Sequence, residues 1–200
     1  MELLPGARVP ELQISAKLSI SRTPIHDALR RLAAEGLVKI GPRRGAVVAS
    51  FTEEEIHDIG AIRLSQDILA AQLASYYGSA SDFDQLMRLA VACEQAAANG
   101  DVYSRIRMDS DFHMQISRIS GNSRLIELQY AIYQQIYLIQ ISKYTDIENS
   151  LIQIHHHKPL VEAIRNRDQE EIRALICQHI KDFHGVEPYL LSCYSKQYQG

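Results

Sequence analysis

The sequence predicts a mainly α-helical protein, with a small mixed head over residues 1–50 and an all-α helical bundle, here called the body, over residues 51–200. Apolar residues recur with helical periodicity almost without a break after residue 51, whereas two short β-rich runs, LVKI and GAVVA, lie before it. Charge divides at the same point, because the head carries eight Lys and Arg against four acids and the body 13 against 20. A basic head on an acidic body favours a polyanionic partner for the head.

Composition excludes several classes of protein. With 46% hydrophobic and 22% charged residues, the chain matches a soluble globular protein. No apolar run approaches the ~18 residues of a membrane-spanning helix and no secretory leader opens the chain, so we expect a cytoplasmic protein without a membrane partner. The cysteines are odd in number and lack CxxC spacing, which indicates reduced thiols and not a disulfide framework or a thiolate zinc site.

The head is predicted to contain two helices and a hairpin. A short helix follows Pro10, and Ser21 is the expected N-cap of a second helix that stops at Gly36. LVKI and GAVVA, separated by GPRRG, form the hairpin. Helix, tight turn, helix and hairpin is the order of a winged helix–turn–helix, whose second helix enters the major groove while the wing contacts phosphate or the minor groove.

Polar side chains stand where such a head would contact DNA. Arg22 and Thr23 begin the second helix, His26 lies one turn further on, and Arg43 and Arg44 lie at the tip of the hairpin. The alternative is a helix pair with a solvated charged face and a basic turn. The arrangement favours DNA binding.

The segment SRTPIHDALRRLAAEGLVKIGPRRGAVV resembles the DNA-binding head of the GntR family of bacterial transcription regulators. The resemblance implies that Arg22 contacts bases and phosphates and that Arg44 and Gly45 form the wing tip. His26 and Leu12 depart from it, because arginine is usual at the first position and frequent at the second. It also implies a further helix upstream of PGARV, so we expect a head that is incomplete at its N-terminus, through trimming, a misplaced start or degeneration.

The body is predicted to be a bundle of six helices. Thr52 and Glu55 form a capping box at its start, and Gly or Asn residues mark most of the later breaks. The helices are expected near residues 52–77, 81–98, 101–119, 122–144, 147–166 and 168–195. No strand signal competes with them, which indicates an all-α bundle.

A run of three histidines, in LIQIHHHKPL, raises the question of metal binding. Successive helical residues point about 100° apart, so at most one or two of the three can face a common interior point. His157 and His179 each lie about eleven residues, or roughly 16 Å, from a predicted turn near residues 166–168. They therefore face each other across two antiparallel helices.

Asp109 and His113 are four residues apart on another helix and share one face. With His157 and His179 they can converge in the core. Three imidazoles and one carboxylate suit zinc, nickel, manganese or iron, with positions open for water or an anion. A hydrolytic enzyme, a direct metal sensor and a set of satisfied polar contacts are alternatives from these residues alone.

The motif Asp109-x-x-Phe112-His113, followed by His157 and then His179, resembles the effector-binding FCD domain of FadR-like GntR regulators over essentially all of residues 51–200. The resemblance implies that the Asp and the three His bind a divalent transition metal, with zinc preferred. It also implies that Arg63 faces the cavity and pairs with the carboxylate of a small organic acid.

The alternative for Arg63 is an internal ion pair with Asp67, which stands where the family usually has glutamate. We expect further polar groups of the cavity at Tyr133, Gln134 and Tyr137. Pro159 would kink a helix that continues through it. His57 and His184 are predicted to lie on the surface.

Together these observations predict a ligand-responsive bacterial transcription regulator and not an enzyme. The head would bind operator DNA, and a homodimer would match a palindromic operator. An effector acid at the metal site would shift the population of head arrangements.

Overall fold

A computed structural model describes residues 3–41, 45–143 and 156–194 of the chain. Most of these residues are helical, as the sequence predicted. Among the described helices, none is both long and apolar enough to cross a membrane.

The head contains α1 (Glu11–Leu18) and α2 (Arg22–Ala34), followed by the strands β1 (Val38–Gly41) and β2 (Gly45–Val48). The strands pair antiparallel, and Val38 lies opposite Val48. This order confirms the predicted winged helix–turn–helix.

Two local features fix the second helix of the head. Ser21 has the extended backbone of an N-cap, although its side chain makes no capping hydrogen bond. Gly36 has φ +76°, a left-handed conformation that favours glycine and lets the chain leave α2. Behind the helix, buried apolar side chains form the small core of the head: Val9, Ile25, Leu29, Val38, Ala46 and Val48.

The body begins with a capping box, as predicted. Glu55 N–H donates to the Thr52 hydroxyl at 3.2 Å, and Thr52 N–H donates to the Glu55 carboxylate at 2.8 Å. The described helices of the body are α3 (Glu53–Tyr77), α4 (Ala80–Ala98), α5 (Val102–Ile119), α6 (Ser123–Lys143), α7 (His157–Arg165), α8 (Gln169–His184) and α9 (Pro188–Ser192).

The last predicted helix, 168–195, is wrong in extent. It ends at His184 because Gly185 adopts φ +63°, and α9 starts anew with Pro188 at its first position. Pro159 lies in the first turn of α7, where a missing N–H breaks no helical hydrogen bond, so it does not interrupt α7. The predicted helical residues 147–155 lie outside the described residues.

Helix α3 runs through the middle of the body. It packs against α5, α6, α7 and α8, and an apolar cluster fills much of the space between them. Two charged residues of α3, Arg63 and Asp67, are nevertheless buried there. They lie against the residues that the sequence singled out for metal binding.

Helix α6 also contacts the head. Leu138 packs against the core of the head, and Gln135 Nε2 donates to the carbonyl of Glu35 at 2.9 Å. An open, largely apolar cavity of about 460 Å³ lies between α6 and the head helices. Helix α6 therefore packs both against the head and against α3, the helix that carries the buried Arg63 and Asp67.

Candidate metal centre

Three helices bring the four candidate ligands together. Asp109 and His113 lie one turn apart on α5, His157 is the first residue of α7, and His179 lies on α8. All four side chains are buried, with 1–4% of their surface exposed. The structure thus juxtaposes the residues that the helical spacing predicted.

Their donor atoms converge on one point. His157 Nε2 lies 3.2 Å from Asp109 Oδ1, and His113 Nε2 lies 3.2 Å from His179 Nε2. One ligand atom from each residue lies within 4.8 Å of all the others. Because ligand atoms on a tetrahedral zinc are about 3.3–3.5 Å apart, the four donor atoms are close to the spacing that one ion requires.

The chemistry of His157 fits a metal ligand. Within the part of the chain that the structure describes, neither of its buried ring nitrogens has a hydrogen-bond partner. Its Nε2 is at ion-pair distance from Asp109, but without the orientation of a hydrogen bond. A buried nitrogen with no partner costs free energy, and a metal ion on Nε2 would remove that cost.

The protonation states also fit a cation site. Burial lowers the pKa of His113 and of His179 well below the usual value, and the charge of Arg63 lowers both further. Burial by itself raises the pKa of Asp109, but contact with His157 and the charges around it hold that pKa well below its usual range. Neutral imidazoles and an ionised carboxylate are the forms that bind metal ions.

A buried ion pair adjoins these ligands. Arg63 Nε donates to Asp67 Oδ2 at 3.1 Å, and the Tyr133 hydroxyl donates to the same oxygen at 2.7 Å. Gln129 Nε2 donates to Asp67 Oδ1 at 2.7 Å. Burial raises the pKa of Asp67, although Arg63 and Tyr133 oppose the rise. The internal pair of Arg63 with Asp67, the alternative to a pair between Arg63 and an effector carboxylate, is therefore present.

The rest of the Arg63 guanidinium reaches three imidazoles. Nη2 lies 3.2 Å from His113 Nε2 and 3.1 Å from His179 Nε2, while Nη1 lies 3.3 Å from His184 Nε2. A guanidinium can only donate, so the three nitrogens accept. His184 Nδ1 consequently carries the proton and donates to the carbonyl of Ile56 at 3.0 Å.

The prediction that His184 lies on the surface is wrong. It is 1% exposed, because α8 packs closely on α3 at Gly60. A Cβ at Gly60 would lie only 2.5 Å from the Cβ of His184, so glycine is what admits the imidazole. A glycine inside a long helical pattern was the sequence signal of this close approach. His57 is exposed, as predicted.

The other predicted polar groups are divided between two places. Tyr133 lies beside Arg63, with its hydroxyl 3.2 Å from Nε. Gln134 and Tyr137 line the cavity between α6 and the head, so the structure does not bring them to Arg63. His156 is the N-cap of α7 and is partly exposed, and His155 lies outside the described residues.

Two further buried residues support Asp109, and the sequence did not reveal them. Gln140 Nε2 donates to Asp109 Oδ2 at 2.6 Å, and Arg105 Nη1 donates to Gln140 Oε1 at 2.7 Å. Arg105 precedes Asp109 by one turn of α5, but the position of Gln140 depends on how α6 packs against α5. No pattern in the sequence gives that register.

The candidate DNA-contacting residues lie on the outside of the head. Arg22, Thr23 and His26 are exposed on α2, and His26 lies 3.6 Å from Glu11. Gly45 has φ +70°, so glycine is favoured where β2 begins. Arg43 and Arg44 lie outside the described residues.

A further basic residue belongs to this face. Arg8 precedes α1 and pairs with β2 at Val47. It lines the same surface cleft as Arg22, and a Cβ at Gly45 would lie 3.6 Å from its guanidinium. Arg8 thus joins the N-terminal end of α2 to the wing, although its place before the first helix gave no sign of this.

Comparison with known proteins agrees with both parts of the fold. Residues 1–48 match the description "Bacterial regulatory proteins, gntR family", and residues 58–182 match the FCD domain. The HTH-type transcriptional regulator YdhC of Bacillus subtilis is 26% identical over 185 residues, which cover 88% of this chain and 83% of YdhC. The Uxu operon regulator of Haemophilus influenzae is 27% identical over 198 residues, which cover 88% of this chain and 72% of that protein.

A solved structure has the same fold. McbR/YncC of Escherichia coli superposes with a TM-score of 0.81 at 22% identity, covering 96% of this chain and 91% of that one. YdhC and the Uxu operon regulator are regulators by name, which agrees with the class of protein that the sequence predicted for this chain. The FCD match alone spans more than half of the chain, so the chain belongs to the GntR family of bacterial transcription regulators and carries an FCD domain.

Proposed function

We propose that this regulator binds operator DNA through its head and that its body responds to a small carboxylate bound at a metal ion. Asp109, His113, His157 and His179 hold the ion, with zinc preferred and nickel, manganese or iron as the other candidates. The observation that carries the proposal is the convergence of four buried donor atoms from three helices within 4.8 Å. When bound, the ion supplies open positions that accept carboxylate oxygens.

The charges of the site select an anion. A divalent ion and Asp109 together leave one positive charge, and the adjoining Arg63 is offset by its ion pair with Asp67, so the centre keeps a net positive charge. Burial strengthens the attraction of these charges for an anion, because little water screens them. The planar fork of Arg63 suits a carboxylate. A hydroxy acid or a dicarboxylic acid can therefore ligate the metal at one end and pair with Arg63 at the other.

The centre has too little free space for an effector to bind without moving side chains. The gap bordered by Asp67, His113 and Gln129 is too narrow for an organic acid with the side chains as they lie. In addition, a metal ion with its acid can occupy the imidazole nitrogens only if Arg63 gives up its bonds to His113 and His179. Its binding therefore rearranges the packing between α3, α6 and α8.

Helix α6 offers a direct route from this site to the head. Tyr133 faces Arg63 from α6, while Gln135 and Leu138 of the same helix contact the head. If the effector displaces α6, the position of the head relative to the body changes with it. In a homodimer, which family members typically form, it changes the spacing of the two recognition helices and favours or disfavours a palindromic site.

A direct metal sensor is the second candidate. The narrow centre and the bonds from Arg63 to His113 and His179 favour it, because an ion alone would have to displace Arg63. In that case the ion itself would be the signal. The two candidates differ in whether an acid is needed.

One titration separates them. The protein is titrated onto a fluorescent DNA duplex, selected by the protein from random sequence, in chelator, in zinc, and in zinc with citrate, lactate, malate or gluconate. The effector proposal expects at least a tenfold change in affinity with one acid and zinc together, and no change with the acid in chelator. A full response to zinc without any acid supports the sensor instead.

A matched pair of variants serves as control. Asp109→Asn removes a ligand, whereas Asp111→Asn alters an exposed carboxylate two residues along the same helix. The response must disappear in Asp109→Asn and persist in Asp111→Asn. A response that survives in both variants contradicts the proposed site.

A further inference from the structure

The two oxygens of Asp109 have different surroundings. Oδ1 faces the imidazoles, at 3.2 Å from His157 Nε2 and 4.0 Å from His113 Nε2. Oδ2 points to α6 and accepts a short hydrogen bond of 2.6 Å from Gln140 Nε2. Only Oδ1 is thus directed at the convergence point of the ligand atoms.

The orientation of the Gln140 amide is determined by its second partner. Arg105 Nη1 lies 2.7 Å from Gln140 Oε1, and a guanidinium can only donate. The amide oxygen must therefore face Arg105, and the NH2 group must face Asp109. All three side chains are buried, so water does not compete for these bonds.

We propose that Gln140, oriented by Arg105, is the positioning residue that makes Asp109 a one-oxygen metal ligand. By tying down Oδ2, the amide prevents the carboxylate from turning both oxygens to the ion. Through these two hydrogen bonds the positive charge of Arg105 also stabilises the ionised carboxylate of Asp109. The guanidinium itself does not contact the metal position. This inference rests on the proposed function, since it assigns a role towards the same metal centre.

One-oxygen ligation affects which ions the site prefers. A carboxylate that binds through one oxygen keeps the ligand count low, which suits a small four- or five-coordinate ion such as zinc. A carboxylate free to bind through both oxygens raises the ligand count and suits larger ions that prefer oxygen. Loss of Gln140 is therefore expected to weaken zinc more than manganese.

Helix α6 contains a matched control. Gln129 is also a buried glutamine, and its Nε2 donates to the carboxylate of Asp67 at 2.7 Å. Gln129→Met and Gln140→Met each remove one hydrogen bond from a buried aspartate, and Gln140→Met also removes the acceptor of Arg105 Nη1. Only Gln140 contacts a candidate metal ligand, so damage to folding is shared by the two variants and damage to the metal site is not.

The experiment measures zinc, cobalt and manganese affinity of the full chain by competition with a chelating indicator, and the thermal stability of each variant in chelator. We expect both variants to lose stability in chelator, and Gln140→Met to lose more, because it also removes the acceptor of Arg105 Nη1. Gln140→Met should lose roughly 10–100-fold in zinc affinity, whereas Gln129→Met should stay within about threefold of the wild type. The visible absorption of bound cobalt should weaken in Gln140→Met, as expected when the coordination number rises.

Three other outcomes contradict the inference, and they separate a failure of the positioning role from a failure of the metal centre. Unchanged zinc affinity in Gln140→Met overturns the positioning role but leaves the metal centre intact. Equal losses in the two variants show a general effect of buried hydrogen bonds and also overturn it. If the wild type binds none of the three ions, the proposed function fails and the inference fails with it. Should Gln140→Met not fold, Gln140→Leu against Gln129→Leu makes the same comparison, because leucine can neither donate nor accept a hydrogen bond.

Discussion

Arg63 and His179 meet in the centre of the body, where Nη2 of the guanidinium lies 3.1 Å from Nε2 of the imidazole. Each imidazole nitrogen has a single lone pair, which can accept from Arg63 or bind a metal ion but cannot do both. The same holds for His113, at 3.2 Å from Nη2. A metal ion on these nitrogens therefore releases N–H groups of Arg63 towards whatever anion enters.

This competition leads to a prediction for Arg63→Met. Removing the guanidinium should leave the affinity for zinc equal or higher, since a competitor for two ligand atoms is gone. The affinity of the zinc-loaded protein for the effector acid should fall at least tenfold, about 1.4 kcal/mol, because one end of the acid loses its partner. Isothermal titration calorimetry with each acid provides the measurement.

Arg118→Met is the control, because Arg118 is exposed on α5. It should bind both zinc and acid like the wild type. An acid that binds equally well to Arg63→Met, or to protein held in chelator, would refute the two-ended clamp.

Asp67 is predicted to stabilise the fold, because it is the buried counter-ion of Arg63. Asp67→Ala removes the carboxylate that accepts from Arg63, Tyr133 and Gln129, and it leaves the Arg63 charge buried without its counter-ion. Breaking one side of a buried pair typically costs about 3–5 kcal/mol. Urea denaturation in chelator should show a loss of that order.

The control for Asp67 is an exposed pair. Glu127→Ala removes the exposed partner of Arg124, and such pairs contribute about 0–1 kcal/mol. A loss in Asp67→Ala that is no larger than the loss in Glu127→Ala would contradict the structural role of Asp67.

The sequence predicted the cluster of the four candidate ligands better than its surroundings. His157 and His179 could be paired because equal distances from a turn imply adjacency across antiparallel helices, and the left-handed Arg167 lies in that turn. Asp109 and His113 needed only helical periodicity. Local spacing was therefore enough to predict that these four side chains lie close together.

The residues around the ligands could not be found in this way. Gln140 contacts Asp109 because of the packing register of α5 and α6, which depends on many apolar contacts at once. His184 was predicted to lie on the surface, and nothing in its own stretch of sequence indicates that it is buried. Its burial depends on the close approach that Gly60 allows on a different helix.

His184 makes folding stability depend on pH. Burial, followed by the charge of Arg63, lowers its pKa well below the usual value, and Lys143 and His57 act in the same direction. Below about pH 6.5 the unfolded chain binds a proton at this residue that the folded chain does not. The free energy of unfolding should therefore fall as pH falls below 6.5, by up to about 1.4 kcal/mol per pH unit for this proton.

Urea denaturation in chelator between pH 5 and 7.5 measures this dependence. His184→Gln should have a shallower slope than the wild type, whereas His57→Gln, at an exposed position, should keep the wild-type slope. Because His113 and His179 also have lowered pKa values, part of the slope remains in His184→Gln. Equal slopes in the wild type and His184→Gln would contradict the buried neutral state of His184.

The head is predicted to bind DNA through Arg22. If Arg22 reaches a base edge, Arg22→Ala should weaken binding to the selected duplex by about 1–3 kcal/mol. Arg8→Ala should weaken binding to all sequences alike and reduce the slope of log affinity against log salt by about one, since a phosphate contact is lost. Fluorescence anisotropy at several salt concentrations distinguishes the two effects.

Arg124→Ala, on the exposed surface of α6, is the control for these head variants. It should change neither the affinity nor the salt slope. If Arg22→Ala and Arg124→Ala bind the selected duplex equally, Arg22 is not part of the DNA interface.

The metal content of the purified protein tests the central claim most directly. Protein prepared without an affinity tag, washed free of loose metal, is analysed by inductively coupled plasma mass spectrometry beside His113→Ala, His179→Ala and the control His57→Ala. The structure predicts about one transition-metal ion per chain in the wild type and in His57→Ala, and a loss of the ion in the two ligand variants. Wild-type protein that contains no such ion, takes up none from added zinc and unfolds at the same temperature with and without chelator would contradict a metal centre at Asp109, His113, His157 and His179.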